Sequence, residues 1–176
     1  SAWILNNGQP NDIVLISGYW LSHLGEDIGE TRDNILGVSG SIIKGGSKKI
    51  NYFLKSINQF EELAQAKGMH LIIIGAGPRI LDRDRCLPEW FRPRNSIVQC
   101  EINFNKQKQY AKSMNQAITK GLNENILFVD PNAFFCKGSC NLDKSRYALF
   151  DSDHPSPKSA RSLKNELVKL IKQTDQ

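Results

Sequence analysis

The chain has 176 residues, 40% hydrophobic and 23% charged, with a formal net charge of +5. That length suits one domain with a real core, and the composition is that of a folded globular protein. No apolar run approaches the roughly 18 residues of a membrane span, so an integral membrane helix is excluded for this segment. Ser1-Ala2-Trp3 does not read as the basic and apolar regions of a signal peptide. The segment reads as soluble, and as cut from something larger.

The first element in chain order is Asp12-Ile13-Val14-Leu15-Ile16-Ser17-Gly18, a short apolar run bounded by breakers. Such runs fit buried parallel strands. Gly37 to Lys49, rich in Gly, Ser and Lys, reads as a mobile loop. From about Ile50 to Lys67, Phe53, Ile57, Phe60 and Ala64 recur at helical spacing, and Gly68 is a natural stop. His70 to Gly75 is the second strand. Pro78 to Cys100 is the longest irregular stretch. A helix from about Asn105 to Asn123 places Tyr110, Met114, Ala117 and Ile118 on one face. Asn125 to Asp130 is the third strand, closed by Pro131. The last helix begins near Ser156, with Ser156 as N-cap, Pro157 in the first helical position, and Leu163, Leu167, Leu170 and Ile171 as its apolar face. Strands alternating with helices indicate an α/β sandwich with a parallel sheet and right-handed crossovers.

Charge and cysteine narrow the setting. Lysines and arginines cluster at Lys44 to Lys49, Arg79 to Arg94 and the last helix. No recognition helix or aromatic-rich strand motif accompanies them, which argues against nucleic acid. Solvated surface charge, with an anionic glycan or lipid surface nearby, fits better. Cys86, Cys100, Cys136 and Cys140 form two local pairs in segments that read as loops. Two disulfides and an oxidising compartment follow, with free thiols or a metal site as the alternatives. The spacing is poor for zinc, and no histidine adjoins either pair.

In open parallel sheets, ligands bind beyond the carboxyl ends of the strands. Three loops leave those ends: Gly18 to Gly25, Ala76 to Leu87, and Pro131 to His154. On the third stand Asp151 and His154. An aspartate three residues before a histidine can hold its Nδ1–H, fix the tautomer and leave Nε2 to take a proton from a hydroxyl. Taken alone, D-x-x-H is a weak motif, and both residues are common ahead of helices. Gly75-Ala76-Gly77-Pro78 lacks the third glycine of a dinucleotide fingerprint. Arg79, Arg83 and Arg85 read as solvated charge or as contacts for an anionic acceptor. Trp20, Trp90 and Phe91 read as loop packing, or as faces for sugar rings. His23 lies close to Trp20 in the chain, while His70 opens a strand and reads as structural.

The run Phe150-Asp151-Ser152-Asp153-His154-Pro155-Ser156 resembles the C-terminal D-x-D-H-L-S block of SGNH (GDSL-type) hydrolases, with Pro155 in place of the usual Leu. The likeness is nearest to SGNH domains fused to bacterial membrane O-acyltransferases that modify surface polysaccharides. Asp12 to Trp20 is similar to that subgroup's strand ending in a small residue, a variable one and Trp. The pairs Cys86/Cys100 and Cys136/Cys140 resemble cysteine pairs it carries.

The resemblance implies a flavodoxin-like, three-layer α/β/α sandwich as a single domain, with His154 as general base and Asp151 as its orienting partner. Gly18, Tyr19 and Trp20 would lie near the oxyanion hole. The reaction would be O-acyl transfer, needing no cofactor or metal, from a donor delivered by a membrane acyltransferase domain to a surface polysaccharide or other glycan. The setting would be periplasmic or extracytoplasmic, tethered to the inner membrane in the parent. The alternatives are a carbohydrate esterase of the same fold and a degenerate glycan-binding or partner module.

Two family features are missing from the sequence: the Gly-Asp-Ser nucleophile turn and the Gly-x-Asn-Asp block, whose place Gly18-Tyr19-Trp20 takes. Ser17, Ser22, Ser39 and Ser41 stand in no strand-turn-helix elbow of the G-x-S-x-G kind. The resemblance therefore implies N-terminal truncation, with the first strand and its serine lost. The strand near Val14 would then have an open edge. The Ala2-Trp3-Ile4-Leu5 run or a second molecule, in a dimer, would have to cover it.

Overall fold

The computed structural model describes residues 2–18, 20, 24, 35–36, 42–43, 46–77, 79–80, 86, 93–132, 154 and 156–174. Its elements in order are α1 (Ala2–Asn7), β1 (Ile13–Ile16), β2 (Ile35–Leu36), β3 (Ile42–Ile43), α2 (Gly46–Gln65), β4 (His70–Ile74), α3 (Arg94–Gly121), β5 (Ile126–Val129) and α4 (Pro157–Thr174). The contacts divide into two compact units, Ser1–Ala76 with Ser113–Val129, and Gly77–Lys112 with Asp130–Gln176.

The first unit is built on a parallel sheet of order β1-β4-β5. Ile13 pairs with His70 and Ile16 with Ile73, while Leu71 pairs with Ile126 and Ile74 with Val129. β4 takes the centre because Leu71, Ile72 and Ile73 offer apolar side chains to both faces, and all three are buried. The three strands expected from the sequence are these three, each trimmed at its polar ends.

The turn from α2 into β4 follows from Gly68. Its φ of +72° is one that a glycine adopts freely. Gly68 N donates to Gln65 O at 2.8 Å and Met69 N to Ala64 O at 3.0 Å. This bond pair closes a helix C-terminus on a left-handed residue and buries Met69 behind it. Asn58 on α2 closes α3 in turn. Its Nδ2 donates to Gly121 O at 2.9 Å and its Oδ1 accepts from Asn123 N at 3.1 Å. Asn123 Nδ2 also donates to Glu61 Oε2 at 2.9 Å. The bond from Asn58 caps a carbonyl that α3 cannot satisfy itself. A Cβ on Gly121 would meet the Leu54 side chain, so a larger residue there would make Leu54 shift.

Several expectations need correction. α2 begins at Gly46 rather than Ile50, and Ile42–Ile43 pairs antiparallel with Ile35–Leu36. The glycine-rich stretch therefore contains regular structure, with Ile42–Ile43 in a strand and Gly46 to Lys49 in α2. α3 begins at Arg94 rather than Asn105. Its first turns contain Asn95, Ser96, Ile97 and Val98, residues of modest helix propensity, and tertiary burial of Phe104 overrides that preference. Cys100 is thus helical, not in a loop. Tyr110 is 43% exposed, and the buried face of α3 consists of Phe104, Ala111, Met114, Asn115 and Ile118. Residues 2–7 form a helix and do not extend the sheet.

β1 is an edge strand. Among the described residues nothing pairs with its outer side. Leu15 is 48% exposed although its register partner Ile72 is buried. Beside it lies a groove of about 380 Å³, lined by Trp3, Ile4 and Asn7 of α1 and by Ile13, Val14 and Leu15.

Candidate functional site

In the first unit, the carboxyl end of the sheet is held by side chains rather than by further strand. Gly75 N donates to Val129 O at 2.9 Å, and the ladder ends there. Beyond it, Asn115 on α3 takes over. Ala76 N donates to Asn115 Oδ1 at 2.6 Å, and Asn115 Nδ2 donates to Ala76 O at 3.0 Å. Both residues are buried. A Cβ on Gly75 would meet Phe128 and Asn115, so a glycine is needed for the chain to pass.

Trp20, expected in a loop, is helical and ties the segment after β1 to the same place. Its Nε1 donates to Ile74 O at 2.5 Å, and its ring lies 4.9 Å from that of Phe53, tilted by 52°. The indole is buried, so its faces serve packing here. Gly18 is exposed, and a Cβ there would meet the Trp20 ring at an ordinary 3.5 Å. Space does not demand a glycine at this position. Ser17 is exposed and lies directly after β1, and Trp20 and Leu24 beyond it are helical. Tyr19, Ser22, His23, Ser39 and Ser41 lie outside the described residues. His70 opens β4, where its N donates to Asp12 O at 2.9 Å.

In the second unit, His154 is exposed and sits two residues before Ser156. Ser156 Oγ accepts from Ser159 N at 3.3 Å and lies 3.2 Å from Ser159 Oγ. Ser156 is therefore the N-cap of α4 and Pro157 its first residue, as the sequence predicts. The cap fixes where the chain turns from the His154 segment into the helix. Asp130 Oδ1 accepts from Asn132 N at 2.9 Å and Asn132 Nδ2 at 2.6 Å, a side-chain turn just past β5. Asp151, Cys136 and Cys140 lie outside the described residues, as do Arg83, Arg85, Trp90 and Phe91. Arg79 is half-buried.

Cys86 and Cys100 form a disulfide with a Cα–Cα distance of 5.6 Å, across a sequence separation of 14. It fastens α3, through Cys100, to Cys86. Among the described residues no group of three or more His, Cys, Asp or Glu side chains could hold a metal ion.

Asn115 is the residue that sequence reasoning missed. A signal was present: it stands four residues after Ala111 and three before Ile118, in the middle of an apolar helical face. A polar side chain placed there requires a buried partner.

The chain is similar to solved structures of longer proteins. One, from Bacteroides fragilis NCTC 9343 and assigned as an acylhydrolase, superposes with a TM-score of 0.51 at 17% identity, over 92% of this chain and 62% of that one. A GDSL-like lipase from Bacteroides thetaiotaomicron VPI-5482 matches with a TM-score of 0.37 at 17% identity, over 73% of this chain and 55% of that one. The chain thus spans less than two thirds of the length of either protein. No curated protein sequence matches it. The α/β class and parallel sheet expected from the sequence are those of the first of these neighbours. A family model described as "SGNH domain (fused to AT3 domains)" matches residues 1–169, and over that span the chain belongs to the SGNH domains of this family.

Proposed function

We propose that this domain carries out acyl transfer in partnership with a membrane acyltransferase domain, moving an acetyl group onto a sugar hydroxyl of a surface polysaccharide outside the cytoplasm. The observation that carries the proposal is the family match over residues 1–169, a family defined by fusion to AT3 domains. The Cys86–Cys100 disulfide is consistent with an oxidising setting.

In the proposed reaction a serine Oγ attacks the acyl carbonyl while His154 Nε2 takes its proton. The tetrahedral oxyanion is held by backbone N–H groups, for which the Gly18 to Trp20 loop is the candidate. Collapse expels the donor's leaving group, which receives the proton from His154. The sugar hydroxyl then attacks the acyl-enzyme, giving its proton to His154 as the new ester forms and the serine is released. Asp151 orients His154 throughout. Water in place of the sugar makes the same site an esterase. Tyr19 belongs to the proposed oxyanion loop, while Trp20 holds that loop to Ile74.

The serine is proposed to lie on a strand upstream of residues 1–176, joining the sheet at the open edge of β1. The exposed Leu15 and the groove beside it support that placement. A second copy of the chain is the alternative occupant of that edge. The absence of a Gly-Asp-Ser turn favours a second reading for the segment alone, a glycan-binding or partner module without turnover.

The test is hydrolysis of p-nitrophenyl acetate by this chain and by a version extended upstream. The chain alone should be inert. The extended form should be active, and His154→Ala should abolish that activity. Turnover by the 176-residue chain would remove the upstream serine from the mechanism, and full activity of the extended His154→Ala variant would remove the triad.

A further inference from the structure

We infer that the outward face of α4 is a contact surface for anionic phospholipid headgroups. The helix carries Lys158, Arg161, Lys164, Lys169 and Lys172 against a single carboxylate, Glu166. At 3.6 residues per turn, Lys158, Arg161, Lys169 and Lys172 fall within an arc of ~80°, with Asn165 between them. All five of these residues are exposed. Glu166 lies outside that arc and accepts from Lys169 Nζ at 2.7 Å. Among the described residues no carboxylate pairs with Lys158, Lys164 or Lys172.

The other side of the helix keeps this face turned outward. Ser159 is buried, and Leu163, Leu167, Leu170 and Ile171 are half-buried. The row from Lys158 to Lys172 is ~21 Å long at 1.5 Å per residue. Val168, 40% exposed, lies at its margin.

Helix α3 makes an instructive contrast. It has Arg94, Lys106, Lys108, Lys112 and Lys120, but these spread over an arc of ~160° that also contains Glu101. Of these two helices, α4 is the one that gathers a single sign on one face.

A straight row of cations without carboxylates complements a plane of negative charge. Attraction to such a plane fades within a Debye length of ~8 Å, so it rewards charges gathered on one side. The family's fusion to AT3 domains supplies the plane, since a membrane acyltransferase partner keeps the domain near a bilayer. That connection favours lipid headgroups over a soluble polyanion.

Vesicle cosedimentation of the 176-residue chain tests the inference. The chain should bind phosphatidylcholine vesicles containing about one-third phosphatidylglycerol and not neutral ones, and high salt should release it. Replacing Lys158, Lys169 and Lys172 by Gln should weaken binding at least roughly tenfold, because each cation near an anionic surface contributes about fivefold. Replacing Lys106, Lys112 and Lys120 by Gln on α3 should weaken it much less. Circular dichroism checks the fold of both variants, and the single Lys158→Gln and Lys172→Gln changes read the same effect in smaller steps.

Failure to bind the anionic vesicles, or equal losses in the two triple variants, would overturn the inference. So would an acidic polysaccharide that holds the chain more tightly than the vesicles do. The assay reads no turnover, so its outcome is independent of the acyl-transfer proposal.

Discussion

Asn115 and Ala76 exchange two hydrogen bonds, 2.6 Å from Ala76 N to Asn115 Oδ1 and 3.0 Å from Asn115 Nδ2 to Ala76 O. One side chain thereby replaces a strand partner at the point where the β4 ladder ends. The carboxyl edge of the sheet is thus shaped by a residue 39 positions further along the chain.

Asn115→Ala should destabilise the protein by about 1–3 kcal/mol, because both Ala76 groups are buried and would lose this partner. For a domain of this size that is a fall in Tm of roughly 3–10 °C. A melt unchanged from wild type would show that the pair contributes nothing net.

Removing the Cys86–Cys100 disulfide frees a chain closed over a sequence separation of 14. Cys86→Ser with Cys100→Ser should cost about 3 kcal/mol, the loop-closure value for a ring of this length. The comparison is chemical denaturation of wild type and variant without reductant. Mass spectrometry after alkylation of the unreduced protein supplies the direct check, since four alkylated thiols would contradict an oxidising setting.

Ser156→Ala removes the acceptor for Ser159 N at the start of α4. A loss of about 1 kcal/mol is expected. Ser156→Asp should restore most of it, as a carboxylate both caps and complements the helix N-terminus. Thermal melts of the three proteins decide this, and an Asp variant no better than Ala would rule out capping.

Leu15→Lys probes the open edge of β1. In the 176-residue chain the change should leave stability within about 0.5 kcal/mol, since the side chain is already half exposed. It should also suppress self-association, because a lysine on an edge strand blocks edge-to-edge pairing. In the upstream-extended protein it should instead destabilise. Light scattering and melts on both lengths test this, and equal stability effects in the two would argue against a strand docking there.

The alternation of apolar runs with amphipathic segments made the three parallel strands and the helices after them legible. Gly68, Ser156 and Pro157 marked their ends, because a left-handed turn, a cap and a fixed φ are local requirements. The start of α3 was not legible. Asn95 to Val98 have modest helical preference, and only burial of Phe104 and the bond to Cys86 make a helix there. Asn115 was legible as a polar residue in an apolar helical face, but its partner was not, because Ala76 stands 39 positions away in the chain.

The sequence by itself determined the α/β class, the parallel sheet and the family likeness, all of which rest on local periodicity and a contiguous motif. Only the tertiary structure decided that Trp20 turns its indole inward to Ile74 and that Asn115 closes the end of β4. Those facts depend on which distant groups meet, and hydrogen-bond satisfaction of buried backbone, not pattern along the chain, selects them.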